Sequence, residues 1–300
     1  MPLNFRALAC ALALTPFVAP SVALAEKTKK LDLGTPEGAL AAMRKIQCST
    51  RDNVPATYWW IGDMYSRVPG ERDRLLFKVE GMNVRQCVTV TDPVRGTGAK
   101  LVSRELLFYK DPATGEVVKT WKNPWTGEEV EVLHIQNDPV NNTFYSVGRD
   151  GKPMSWSIKG GMWWTTTTVP LFYRDPLGGD YQEYVGGTYH ATEMFNFFGD
   201  VDDLLDPKKD HAEVRVGWVR ISDWLPWMKM GSRTGDLYFH TAGRRLASWD
   251  ELPESMKALI VRDFPDYRQP PPGDDARPNE TSWTFFKKRV QPAGAKSGGH

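Results

Sequence analysis

From Val54 onward the chain is written mostly in short runs where apolar and polar residues alternate, the period of a strand with one buried face. "VPATYWWIGDMYSRV", "RLLFKVEGMNVRQCVTV", "AKLVSRELLFYKD" and "EVVKTWKNPW" are β-branched or aromatic runs separated by Pro-Gly, Asp-Pro and Thr-Gly punctuation. Further strands are predicted at "NTFYSVG", "MSWSI", "MWWTTTTVPLFYRD", "EVRVGWVRIS" and "GDLYFHTAGRRL". "YKDPATGEVVKTW" and "NPWTGEEVEVLHI" repeat one hairpin design. Helical spacing appears in "TPEGALAAMRKIQCS", with Thr35 as N-cap and Leu40, Met43 and Ile46 on one stripe. It returns in "SWDELPESMKALIVRDF", where Ser248 can cap and Leu252, Met256, Leu259 and Ile260 form the apolar face. "ATEMFNFFGDVDDLL" satisfies both periods, and periodicity does not decide it. "PDYRQPPPGDDARPNE" is a loop by composition, and "SWTFFKKRV" after it alternates again, which predicts a last strand and argues against a domain boundary at the loop.

Many short strands and few helices predict a mainly β, single-domain protein. A closed antiparallel β-barrel of lipocalin or calycin type, with peripheral helices, is favoured because it can hold one small ligand; a sandwich is the alternative. Ahead of this domain, MPLNFRALACALALTPFVAPSVALA has an early arginine, a short apolar middle and Ala23 and Ala25 at the small-residue positions of a cleavage site. It is read as a signal peptide over residues 1–25, leaving a domain over 26–290 and a disordered tail over 291–300, in a periplasmic or secreted protein. Cys48 and Cys87 remain after cleavage; they can form a disulfide or stand as two reduced thiols, and their spacing does not choose. A formal net charge of +1 predicts no nucleic-acid partner, and no membrane-length apolar run follows the leader, so no stable membrane insertion is expected. Twelve tryptophans are enough to ask whether some line a ligand pocket.

Four separated segments, "TWKNPWTGEEVEVLHIQNDPVN", "TEMFNFF", "ISDWLPWMKMGSRTGDLYFH" and "PNETSWTFFKK", resemble the bacterial family known as domain of unknown function 1838. The resemblance spans about Leu31 to Lys288. It implies a single-domain protein and carries no catalytic residue with it, so candidate chemistry is read from the chain itself.

His134 ends the alternating run "GEEVEVLHI", on the face of Val130 and Val132, and Asn137 and Asp138 follow where a loop could turn them back to orient a general base. The plainer reading is a turn built by those residues and a histidine bonded to a backbone carbonyl. In "EVRVGWVRIS" the alternation sets Arg220 beside Val214, Val216 and Trp218, where it needs an anion: Asp138, Glu193, or an acidic group of a ligand. Tyr189, His190 and Glu193 follow a Gly-Gly pair; Asp236, Tyr238 and His240 share a face that pattern alone assigns neither to pocket nor to water. Trp218, Trp224 and Trp227 are candidates to grip a flat apolar ligand, the last two around Pro226. His134, His190 and His240 could form a three-histidine site, but no His-x-His or His-Glu-x-x-His spacing supports a metal, and none is expected. There is no Gly-x-Ser-x-Gly elbow, and "GTGAK" lacks the spacing of a phosphate loop, so no cofactor is expected. The expectation is therefore a metal-independent lyase, isomerase or decarboxylase acting on a small apolar or aromatic, acidic substrate, with His134, Asn137, Asp138, Arg220 and Glu193 catalytic. Trp218, Trp224, Trp227, Tyr189, His190, Tyr238 and His240 would bind substrate. The rival is a non-catalytic small-molecule carrier or sensor.

Overall fold

The computed structural model describes residues 29–148, 151, 154–173 and 188–290; the expected leader and the tail from residue 291 lie outside these. Most of the predicted strands join one antiparallel sheet. Its members are β1 (Ala56–Arg67), β2 (Arg74–Asp92), β3 (Gly96–Lys110), β6 (Ile135–Asn137), β7 (Asn142–Tyr145), β8 (Ser157–Lys159), β9 (Met162–Tyr173), β10 (Tyr189–Asp200), β11 (Arg215–Ser222) and β12 (Asp236–Leu246). They run in the order β6-β3-β2-β1-β12-β11-β10-β9-β8, with β7 also on β3, while β4 (Thr120–Lys122) and β5 (Glu129–Glu131) form a separate ribbon. Among the described residues no ladder closes the path from β6 to β8, so a hydrogen-bonded barrel is not seen there.

The sheet is nevertheless strongly cupped. Three strand steps on a flat sheet span about 14 Å. Yet the Tyr58 ring on β1 lies 6.1 Å from Phe197 on β10, and the Tyr109 ring on β3 lies 6.4 Å from Phe239 on β12. The concave face carries the main core, including Tyr58, Trp60, Met64, Val79, Leu107, Tyr109, Phe197, Val216, Trp218 and Phe239. Trp60 pairs with Gly81 on one side and Gly243 on the other. A Cβ at Gly81 would come within 2.4 Å of the indole, so the bare backbone there is what lets that ring lie down in the cup.

Helices cover what the sheet leaves open. Helix α1 (Pro36–Gln47) is capped by the Thr35 side chain and sends Ala42 and Ile46 into the core. The ambiguous segment resolves into both elements: β10 runs to Asp200, whose carboxylate caps α2 (Val201–Leu205). On the convex face, α3 (Glu254–Asp263) sets Met256 and Ile260 against Met82, Val84, Leu106 and Phe108; Ser248 caps a separate 3₁₀ turn, Trp249–Glu251, ahead of it. "SWTFFKKRV" is not a strand but α4 (Ser282–Val290). Thr281 and Thr284 exchange side chain-to-backbone hydrogen bonds at its start, a reciprocal cap, and Trp283 and Phe286, one turn apart, both enter the core.

Cys48, just past α1, is bonded to Cys87 on β2, with a Cα–Cα distance of 5.9 Å inside the usual bridging range. The bridge lies in a small cluster with Leu40, Ala56, Ala99 and Leu101 and ties α1 to the sheet. It closes a loop of 39 residues. Replacing both cysteines by serine should lower unfolding stability by about 4 kcal/mol on the chain-entropy account, read as a fall in the urea midpoint with unchanged slope.

Candidate functional site

Polar side chains gather inside the cup from both of its walls. On one wall, β11 alternation points Val216, Trp218, Arg220 and Ser222 inward, and the register sets Arg220 directly opposite Glu193 of β10. Arg220 is 5% exposed. Its Nη1 donates to Glu193 Oε1 at 2.6 Å and its Nη2 to the Tyr189 hydroxyl at 2.9 Å, while its Nε–H is buried with no partner among the described residues. Burial works against the guanidinium charge, but Tyr189 and Glu193 outweigh it and hold the proton on more firmly than usual.

The facing wall is built by β2, β3 and β6. Asn83, Glu105 and Asn137 stand side by side across these strands, Arg85 is two residues on from Asn83, and Tyr109 is one strand repeat beyond Leu107. Glu105 and Glu193 are five strand steps apart, about 24 Å on a flat sheet. The cup brings them near enough that the Glu193 charge acts on Glu105. Burial first, and that like charge second, push Glu105 up to about 7, against the pull of an Asn137 hydrogen bond, Arg85 and Arg220. Tyr109 is raised above the ordinary tyrosine range, again by burial first. Arg85, Glu105, Glu193 and Phe195 keep accessible surface, while Tyr58, Asn83, Tyr109, Tyr189, Trp218 and Phe239 around them are buried. Groups that are desolvated and yet keep accessible surface mark this part of the cup, called the recess below, as the candidate site.

Among known families, the one described as "Protein of unknown function (DUF1838)" matches residues 53–290. The chain belongs to that family. No curated protein matches it. The match begins beyond α1 and takes in the whole sheet, the recess and α4, so both walls of the site belong to the DUF1838 domain.

Within this DUF1838 domain the residues singled out in the sequence separate into five places. Arg220, Glu193, Tyr189, Trp218 and Asn137 meet in the recess. His134 does not join them as an oriented base. The strand stops at Glu131, and the His134 ring is held by backbone groups: Nδ1 accepts the Tyr109 backbone N–H at 3.2 Å, and the Val118 backbone also bonds to the ring. Burial depresses it to about 4, and the cavity it borders, with Tyr109, Trp227 and Phe286, is about 10 Å³, room for a water and not for an organic substrate. Asp138 is not its orienting carboxylate either; it is held by Arg104 at 3.0 Å and Arg277 at 2.7 Å. His190, Tyr238 and His240 fall on the convex face, because alternation gives the interior to Tyr189, Leu237, Phe239 and Thr241. Tyr238 stacks there on Tyr65 at 4.9 Å and bonds Asp73. Trp224 and Trp227 are buried packing around the 3₁₀ turn Pro226–Met228, Trp224 donating to the Arg233 carbonyl and Trp227 lying against Phe77 and Tyr109. Among the described residues no three His, Cys, Asp or Glu side chains gather as a metal-ligand set. Glu105, Arg85, Asn83 and Tyr109 were not singled out, although "VEGMNVRQC" and "KLVSRELLFY" set them on the apolar faces of their strands.

Proposed function

We propose that this protein is an enzyme that moves a proton on a small apolar or aromatic acid held in the cupped sheet, which serves as a barrel-like receptacle. The observation that carries this reading is Glu105: a carboxyl poised near neutrality, in a reachable recess, facing an arginine–tyrosine–carboxylate group. The proton-transfer role expected of His134 passes to Glu105, whose proton affinity suits either direction of transfer at neutral pH. Arg220, whose Nε–H has no partner among the described residues, would stabilise negative charge that develops on the substrate, and Tyr189 and Glu193 fix the plane of its guanidinium. Trp60, Phe195, Phe197 and Trp218 supply an aromatic wall for the apolar part. Such a set favours lyase, isomerase or decarboxylase chemistry, which needs proton transfer and charge stabilisation and no nucleophile. We further place the protein in an exported, oxidising compartment, a reading supported by the leader pattern and by the Cys48–Cys87 bridge.

The test is a screen of aromatic and alicyclic acids on wild type and Glu105→Gln, by thermal shift with product analysis of every hit. An acid that wild type converts, and that the variant binds but converts at least about 100-fold more slowly, is the expected result. Acids bound by both and converted by neither would replace the enzyme with a carrier.

A further inference from the structure

The recess contains two arginines in unlike circumstances. Arg220 is neutralised by Glu193. Arg85 has no carboxylate within ion-pair distance among the described residues; Nε donates to the Asn83 amide oxygen at 2.6 Å, Nη1 to the Gln47 amide oxygen at 2.8 Å, and the guanidinium lies 4.6 Å over the Tyr58 ring. Two neutral amides and a ring face fix the plane of the fork without discharging it, and Nη2 is left without a partner among the described residues. Burial works against the Arg85 charge first; Glu105 attracts it from beyond ion-pair distance, and the like charge of Arg245 opposes it. An arginine so fixed, reachable and without a direct carboxylate partner among the described residues matches the planar, two-oxygen geometry of a carboxylate.

Its position relative to Glu105 gives the match a chemical meaning. Asn83 stands directly opposite Glu105, and Arg85 is the next residue along on the same face, a diagonal neighbour at about 7–8 Å. A carboxylate seated on Nη2 would hold the carbon next to it, or the one after, in front of the Glu105 carboxyl. The body of the molecule would then extend toward Trp60, which lies across from Gly81 on the adjoining ladder. A protonated Glu105 beside that anion adds no repulsion.

We propose that Arg85 anchors the carboxylate of the substrate, which makes the substrate class monocarboxylic acids whose apolar or aromatic body begins one or two carbons from the acid group. This rests on the recess being the active site, and the experiment separates the two ideas. The probes are phenylacetate, 3-phenylpropionate and cinnamate against their primary amides, titrated calorimetrically into wild type, Arg85→Gln, Arg85→Lys and Glu105→Gln. Wild type should favour the acids over the amides by about 10- to 100-fold. Arg85→Gln should lose that preference while still binding the amides, Arg85→Lys should keep part of it, and Glu105→Gln should keep all of it. Should Arg85→Gln not fold, the graded loss in Arg85→Lys carries the same information, since it keeps the charge and removes the fork. Acids and amides bound equally by wild type, or an acid preference untouched in the arginine variants, overturns the anchor and leaves the recess standing. Failure of both series to bind wild type at millimolar concentration removes the recess reading and the anchor with it.

Discussion

Glu105→Gln is expected to stabilise the folded protein above pH 7 by roughly 2–3 kcal/mol while abolishing the proposed proton transfer. Glu105 ionises at about 7 in the folded chain against 4.5 for a free glutamate side chain, because burial disfavours its charge. Its protonated form therefore contributes stability that is complete below the unfolded value and is lost as pH climbs through the folded one. Glutamine resembles that protonated form at every pH. His134 acts with the opposite sign, being depressed from 6.5 to about 4, so its contribution is present above the higher value and is lost as pH falls through the lower. Between roughly pH 4.5 and 6.5 the two slopes oppose each other. Urea unfolding of wild type across that window should show little net dependence from this pair, and the variant should show stability rising with pH. If Glu105→Gln is instead less stable at pH 8, the carboxylate is a structural partner of Arg85 and Arg220, and its place as the acid–base group is lost.

The second large effect is at the opposite wall. Arg220→Met should lower stability by about 3–5 kcal/mol, because it leaves Glu193 without its cation and the Tyr189 hydroxyl without the Nη2 donor in a desolvated site. Arg220→Met combined with Glu193→Gln should recover much of the loss, since the partner no longer needs neutralising. Unfolding midpoints for the two single variants and the double variant, closed as a thermodynamic cycle, measure this; strict additivity would mean that the 2.6 Å contact holds no coupling energy.

The strands were legible because one face of nearly every one is buried, and burial on a pleated ribbon enforces alternation. Arg220 was legible for the same reason. Glu105 was written in the same code, since Leu101, Ser103, Glu105, Leu107 and Tyr109 alternate, yet a charged residue on an apolar face becomes a site only when a distant wall faces it. That wall is brought round by the cupping of six strands, a property of ladders between residues far apart in the chain. His134 lies beyond the last ladder of its alternating run and is held by backbone groups, as the plainer reading of that turn has it; the Val132 N–H bonds to the Lys119 carbonyl and the strand ends before the histidine. Over nine residues, α4 fits both periods, and its start is marked by Thr281 and Thr284, a cap whose three-residue spacing has no counterpart in a strand.

The β1–β12 ladder pairs Thr57 with Leu246 and Arg67 with Asp236, joining the first strand of the sheet to the last at its centre. As the chain emerges during synthesis, β1, β2 and β3 can form a local meander early, but the cup cannot close over Trp60 until the final strand has been delivered. A concave aromatic surface is thus left open for most of the time the polypeptide is being made, and folding is dominated by pairings across long sequence separation, the slow regime for β proteins. A chain that acquires its shape only at the end is one that a translocation channel or a chaperone can still handle as an extended thread.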